Sequence, residues 1–202
     1  MTVLGAVPIK PFRSAKNRLA GDLTIPQRRM LAEHLGQRTL AAVKDAGAEP
    51  IVLAADEDVA VWAKHLGHRA LLDSGPDLNS SAMAAADLAS IENRPWLLIH
   101  ADLPLIDAAA VAQAISALSS GRPIIAPSPD GGTPALGWQG RELIFSYGPN
   151  SFHRHHRQLA SHEPLVITDR RLMFDIDRPA DLALALRQFP ELAARLSSLP
   201  PS

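Results

Sequence analysis

Three groups of residues in this sequence are of the types and spacing that do chemistry. The first is Lys10-Pro11-Phe12-Arg13-Ser14-Ala15-Lys16-Asn17-Arg18-Leu19, in which four cations fall within nine residues. Such density suits a polyanion, because charge growing on a leaving pyrophosphate must be neutralised. Solvation of an exposed loop is the competing reading. The segment lacks the glycine spacing of a P-loop or a dinucleotide fingerprint, so neither is invoked.

The second group is made of carboxylates. Asp102 follows the apolar run Trp96-Leu97-Leu98-Ile99, and Asp175 and Asp177 stand two residues apart, which in extended backbone puts both on one side. Mg²⁺ takes one or two carboxylates and fills the rest of its shell with water and phosphate oxygens. Asp102 has an alternative role in capping a turn, although Asp107 is the better helix cap. Asp177 has one too, as the cap of a helix with Pro179 in its first turn. Asp175 is less easily explained in that way and is the favoured ligand of the pair.

The third group is Asp130-Gly131-Gly132-Thr133 with Tyr147-Gly148-Pro149-Asn150-Ser151. Its glycine amides and hydroxyls suit a phosphate or carboxylate, above all if Ser151 opens a helix. As plain turns the two loops would look much the same.

Other chemistries find less support. The absence of cysteine removes disulfides, thiolate zinc sites and cysteine nucleophiles. His153, His155, His156 and His162 are close in sequence, but His153, Arg154, His155, His156 and Arg157 read as the exposed, basic part of a helix or loop, and a zinc site is not expected. No serine sits in a G-x-S-x-G elbow. A net charge of −1 gives no overall pull toward nucleic acid or an anionic membrane. No apolar run reaches the roughly 18 residues of a membrane helix and no signal segment is visible, so a cytoplasmic protein is expected.

The elements that must position these groups follow from hydrophobic patterning. Short apolar runs alternate with amphipathic stretches, the pattern of an open, mostly parallel sheet covered by helices on both faces. Strands are expected at Val3–Ile9, Ile51–Ala55, Arg69–Leu72, Trp96–His100, Pro123–Pro127 and Leu165–Thr168. Helices are expected from Thr24 to Ala46, Asp58 to Leu66, Leu78 to Ile91, Asp107 to Leu118 and from Pro179. Ser128 to Ser151 reads as a loop with a hairpin. A single domain spans residues 1–202, with 196–202 a frayed tail. The basic loop, Asp73 to Asn79, Asp102 and the Asp175/Asp177 pair then converge at the carboxyl ends of the strands, where open α/β sheets bind ligands.

Taken together, the motifs resemble one family. Val7-Pro8-Ile9-Lys10-Pro11 with Ala15-Lys16-Asn17-Arg18-Leu19, Leu78-Asn79, His100-Ala101-Asp102-Leu103-Pro104-Leu105, Asp130-Gly131-Gly132-Thr133, Gly148-Pro149-Asn150-Ser151-Phe152 and Asp175-Ile176-Asp177-Arg178-Pro179-Ala180-Asp181-Leu182 are similar in order and spacing to the 2-phospho-L-lactate guanylyltransferases. That family acts in biosynthesis of the deazaflavin coenzyme F-420 and is related to the molybdenum-cofactor type nucleotidyltransferases. The resemblance implies a Rossmann-like nucleotidyltransferase fold and transfer of GMP from GTP to 2-phospholactate, phosphoenolpyruvate or 3-phosphoglycerate. It also implies Mg²⁺ as cofactor, with a homodimer admissible. By the same resemblance Lys10, Lys16, Arg18 and Asp102 are catalytic, and Pro8, Lys10, Lys16, Arg18, Gly75 and Asn79 bind nucleotide. Thr133, Gly148 and Ser151 would bind the acceptor; Asp102, Asp175 and Asp177 would hold metal.

Two positions depart from the family. Pro134 stands where Asn is usual, removing an amide side chain and a backbone donor beside the acceptor loops. Arg178 stands where Thr is usual. Rival readings are a nucleotidyltransferase for a sugar phosphate or a molybdopterin, and a non-catalytic nucleotide-binding regulator.

Overall fold

The computed structural model describes residues 1–72, 75, 77–140 and 142–199. Asp73, which was expected at the rim, lies outside the described residues. Among those described, seven strands form one sheet in the order β3-β2-β1-β4-β6-β5-β7. They are β1 (Leu4–Ile9), β2 (Glu49–Ala54), β3 (Arg69–Leu72), β4 (Trp96–Ile99), β5 (Ile124–Ala126), β6 (Ala135–Trp138) and β7 (Leu165–Val166). β1 pairs in parallel with β2 and β4, β2 with β3, and β5 with β7; β6 runs antiparallel between β4 and β5. The mostly parallel open sheet is therefore present, but the hairpin expected within Ser128 to Ser151 is corrected: β6 pairs with β5, which precedes that segment.

Helices cover both faces. α1 (Ile25–Asp45), α2 (Glu57–His65) and α4 (Ala108–Ser119) supply Leu40, Val43, Val59, Val111 and Leu118 to one core layer, while α3 (Leu78–Ile91) and α5 (Ser151–Leu159) supply Ala82, Ala85, Ala89 and Leu159 to the other. β1, β4 and β5 are buried along nearly their whole length, and this is why they read as continuous apolar runs, whereas the edge strands β3 and β7 are partly exposed. Thr24 caps α1 in a reciprocal box with Gln27, and Asp107 caps α4 by accepting from the Ala110 amide. Gly5 is required in β1, since a Cβ there would sit 2.3 Å from Val43 Cγ1.

A third cluster matters most for the site. Leu31 and Leu35 of α1 pack with Leu19, with Ile176, and with Leu182 and Leu192 from α7 (Pro179–Gln188) and α8 (Pro190–Ser197). It ties the basic loop and the aspartate pair to one helix. α8 and the short α6 (Arg170–Met173) extend the helices expected from sequence. A frayed tail from residue 196 is corrected in part: α8 runs to Ser197 and buries Leu196, which is 4% exposed, while residues 200–202 lie outside those described.

Candidate active site

The strand order turns back at β1, with β2 on one side and β4 on the other, and a crevice opens beyond their carboxyl ends at such a switch point. A cleft of about 740 Å³ lies there. Pro8, Lys10, Lys16, Arg18, Gly75, Asp102, Asp175 and Asp177 all line it. The structure thus brings together the expected nucleotide and metal residues except Asn79, which is not in the wall. Asn79 Oδ1 instead accepts from the Tyr147 amide at 2.6 Å, joining α3 to the loop before α5.

The basic loop is held by its apolar residues. Phe12, Ala15 and Leu19 are buried, and Phe12 meets Trp62 edge-on at 5.3 Å. Lys16 stands between two short 3-10 turns, Phe12–Ser14 and Asn17–Leu19, with φ of 53°. A lysine held in the left-handed region is uncommon and costs backbone energy, which the anchored turns on either side supply. Of the early cations, Arg28 is buried and donates to Ala15 O at 3.1 Å and to Asn17 Oδ1, so it braces the loop from beneath. Arg29 pairs with Glu33 and Asp58 over the Phe12 ring. Neither lines the cleft.

Lys16 is the centre of the arrangement. Its side chain is 9% exposed, and Nζ donates to Asp102 Oδ2 at 2.9 Å and to Ile176 O at 2.6 Å. The Ile176 amide in turn donates to Asp102 O at 3.2 Å. Ile176 is fully buried in the third cluster, so in this extended stretch Asp175 and Asp177 face the other way, into the cleft. Asp177 pairs with Arg18. It does not cap the helix: the α7 N-cap is Arg178, and Asp181 accepts the amides of Asp177 and Arg178.

The electrostatics are unbalanced in a directed way. Burial, the largest single influence, presses the Asp102 carboxyl upward, but the Lys16 charge, His100 and the hydrogen bond from Lys16 together keep the group below the usual carboxylate range. Asp175 is pushed up to about 6, first by burial and then by the Asp102 charge, with Lys16 opposing. Asp102 Oδ1 is buried with no hydrogen-bond partner among the described residues. An orphaned carboxylate oxygen beside a second carboxyl short of positive charge fits a hard divalent cation. No group of three or more His, Asp or Glu among the described residues is arranged around a metal, so water and phosphate oxygens would complete the shell.

Thr133, Gly148 and Ser151 form a separate group. Thr133 and Ser151 are each 1% exposed, and their hydroxyls lie 2.9 Å apart. The glycine-amide cradle expected here is largely corrected. Gly131 N donates to Ser128 O, Gly132 N to Asp130 Oδ1, Ser151 N to Gly148 O and Phe152 N to Gly131 O. Those donors close the loops, which leaves the hydroxyls as the distinctive feature. Pro134 is buried, and its carbonyl accepts from the His100 amide at 2.9 Å.

The reading of His155 as exposed and basic is also corrected: it is fully buried, touching Thr133 Oγ1 through Nδ1 at 3.2 Å and the Ser146 amide through Nε2 at 2.9 Å. The available signal was periodic. Ser151, His155 and Leu159 are spaced by four and form the buried face of α5. His100, Tyr147 and His155 link the two regions, with ring centroids 6.0 Å and 4.9 Å apart, and His100 also lines the cleft.

The doubly wound sheet with its crevice at the switch point is a fold shared by solved structures described as nucleotide-handling enzymes. The chain superposes with a TM-score of 0.76 on a structure described as a nucleotide-diphospho-sugar transferase from Desulfovibrio desulfuricans G20, at 18% identity over 97% of this chain and 99% of that one. With 4-diphosphocytidyl-2C-methyl-D-erythritol synthase the TM-score is 0.59 at 13% identity, over 94% of this chain and 98% of the other.

Sequence comparison narrows the class. A family model described as "Guanylyl transferase CofC like" matches residues 1–186, and the chain belongs to that family. Phosphoenolpyruvate guanylyltransferase of Rubrobacter xylanophilus is 35% identical over 91% of this chain and 93% of its own length. The 2-phospho-L-lactate guanylyltransferase of Methanosphaerula palustris is 32% identical over 98% and 91%. The protein is a nucleotidyltransferase of the guanylyltransferase type. Among the described residues no helix is long and apolar enough to cross a membrane.

Proposed function

We propose that the cleft binds GTP with Mg²⁺ and that the phosphate of a small phosphorylated acid attacks the α-phosphorus. The α-phosphorus to bridging-oxygen bond breaks, pyrophosphate leaves, and the acid and GMP remain joined through a diphosphate. The single observation that carries this is Lys16, whose ammonium is fixed between Asp102 Oδ2 and Ile176 O inside the cleft while Asp102 Oδ1 has no hydrogen-bond partner among the described residues.

Lys10 and Arg18 at the cleft wall supply charge for the triphosphate. Lys16 aligns Asp102 and offsets charge near the reacting phosphorus, work done in advance by its fixed geometry. Asp102 and Asp175 would hold Mg²⁺, with Asp177, tied to Arg18, closing the cleft at that end. When bound, the cation would neutralise phosphate charge and orient the leaving pyrophosphate. The attacking phosphate is already ionised, so no residue has to remove a proton. Rate enhancement comes from positioning and charge neutralisation. Ser151, backed by Thr133, supplies a hydroxyl for the acid. The acids named for the relatives, phosphoenolpyruvate and 2-phospho-L-lactate, each carry a carboxylate and a phosphate.

The test incubates the protein with Mg²⁺, each of the four nucleoside triphosphates, and phosphoenolpyruvate, 2-phospholactate or 3-phosphoglycerate. Pyrophosphate and product mass are measured. Turnover with GTP and at least one acid is expected; silence in every combination overturns the proposal.

A further inference from the structure

His155 lies outside the cleft and in none of the motifs that point to the reaction, yet it is fully buried and both of its ring nitrogens are engaged. The partner of Nε2 is the Ser146 backbone amide, at 2.9 Å. An amide N–H only donates, so Nε2 must accept and carries no proton. A neutral imidazole then has its proton on Nδ1, which faces Thr133 Oγ1 at 3.2 Å. Burial, and then the Arg154 charge, lower the His155 pKa to about 4, consistent with a neutral ring.

The hydroxyl protons continue outward from the ring. Thr133 Oγ1 accepts from His155, and its own proton has one acceptor within reach among the described residues, Ser151 Oγ at 2.9 Å. Thr133 and Ser151 are each 1% exposed, and a buried hydroxyl proton without an acceptor is costly, so with an anionic oxygen seated at Ser151 the arrangement that satisfies both protons is the one in which Thr133 donates to Ser151. Ser151 Oγ then accepts, and its proton makes no other hydrogen bond among the described residues. The Ser146 amide therefore fixes the direction from Ser146 to His155 to Thr133, and a ligand that accepts from Ser151 extends it through Thr133 to Ser151.

We infer that His155 is a positioning residue that orders the Thr133–Ser151 hydroxyl pair so that Ser151 presents its proton, selecting an acceptor with an ionised oxygen over its amide or ester. This rests on the reading of Thr133 and Ser151 as the acid's seat. Phe145 and Tyr147 keep the ring in place, Tyr147 packing edge-on to His155 at 4.9 Å and parallel to Phe145 at 6.4 Å. A hydroxyl pair left to rotate would donate or accept equally well; one driven from a fixed imidazole would not.

Three variants separate the functions of the ring. His155→Gln can still accept from Ser146 but offers no donor at the Nδ1 position; His155→Asn offers that donor and gives up the Ser146 bond; His155→Phe removes both. The KM for the acid should rise about tenfold or more in the Gln and Phe variants, as for a lost hydrogen bond to a charged group. In those two variants kcat and the KM for GTP should change by less than about threefold, and the Asn variant should restore most of the loss. Equal KM values for the acid in wild type and the Gln variant, or an Asn variant as impaired as Gln, would overturn the inference. Long-range proton–nitrogen NMR of the imidazole in the wild-type protein gives a readout independent of turnover. A proton on Nδ1 is required, and one on Nε2 contradicts the proposal. Should the wild-type protein transfer nucleotide to no acid while the Nδ1 proton is observed, the substrate reading fails and the ordering by His155 stands.

Discussion

The two halves of the site are built on opposite principles. In the cleft, Lys16, Asp102 and Asp175 form a partly buried charge cluster in which one carboxylate oxygen has no partner among the described residues and one carboxyl is held near pKa 6. In the hydroxyl pocket, Thr133, Ser151 and His155 are neutral, more deeply buried and bonded to one another. The first region is incomplete without a cation and an anion, and is suited to chemistry in which charge develops. The second is nearly complete by itself, and is suited to recognising a ligand whose charge does not change. Substitutions in the cleft should therefore fall on kcat, and those in the pocket on the acceptor KM.

The strongest break in that contrast is Asp102→Asn. Loss of the ionised oxygen should lower turnover by about a thousandfold or more, in the range of removing a preorganised electrostatic group. The Asn amide oxygen can still accept from Lys16, so circular dichroism and the melting temperature should remain close to wild type. Near-normal activity would remove Asp102 from the reaction. Next is Lys16→Met, which leaves two carboxyls without their ammonium. A loss of about a hundredfold in kcat is expected, largely restored for binding by raised Mg²⁺, whereas a change confined to the KM of the acid would assign Lys16 to the other region.

Thr133→Val tests the pocket. It keeps the shape and removes the hydroxyl, leaving the His155 Nδ1 proton without an acceptor, and should cost about 1–3 kcal/mol of folding stability in denaturant titration. Acceptor KM should rise while kcat holds. A collapse of kcat with unchanged KM would erase the distinction between the regions.

Acidity offers a further probe. Because the folded Asp175 pKa of about 6 lies above the ordinary 3.8, its protonated form is favoured on folding, a contribution present at low pH and lost as pH rises through about 6. A divalent cation competes with that proton. Mg²⁺ affinity measured by calorimetry should be flat above about pH 7 and fall by up to tenfold per unit below about pH 6. An affinity indifferent to pH across this range would take Asp175 out of the cation site. The smallest effect belongs to Arg29→Ala. It breaks exposed pairs with Glu33 and Asp58 outside the cleft, so kcat and both KM values should stay within about twofold and stability should change by roughly 0–1 kcal/mol.

The sequence made the cleft more legible than the pocket, for the same reason that they differ physically. β1, β2 and β4 are buried on both faces, so their apolar runs mark them, and a charged group at the end of such a run has few roles. Asp102 and the Lys16 loop were readable in this way. The Ile176 anchor that turns Asp175 and Asp177 into the cleft follows from simple alternation. β6 was concealed within an expected loop because Gly137 and Pro134 give it the composition of a turn, and its place between β4 and β5 is set by tertiary pairing. α8 was hidden by Pro190, which opens a new helix directly after Phe189. His155 was misread because its neighbours Arg154, His156 and Arg157 suggest a solvated segment. Its spacing from Ser151 and Leu159 carried the contrary signal, which composition masked.

The most direct measurement follows the phosphorus. With GTP labelled at the α-phosphate, Mg²⁺ and the preferred acid, the account requires the label to appear joined to the acid, with unlabelled pyrophosphate released in equal amount. Label retained in GDP, with the γ-phosphate transferred to the acid or to water, would contradict it.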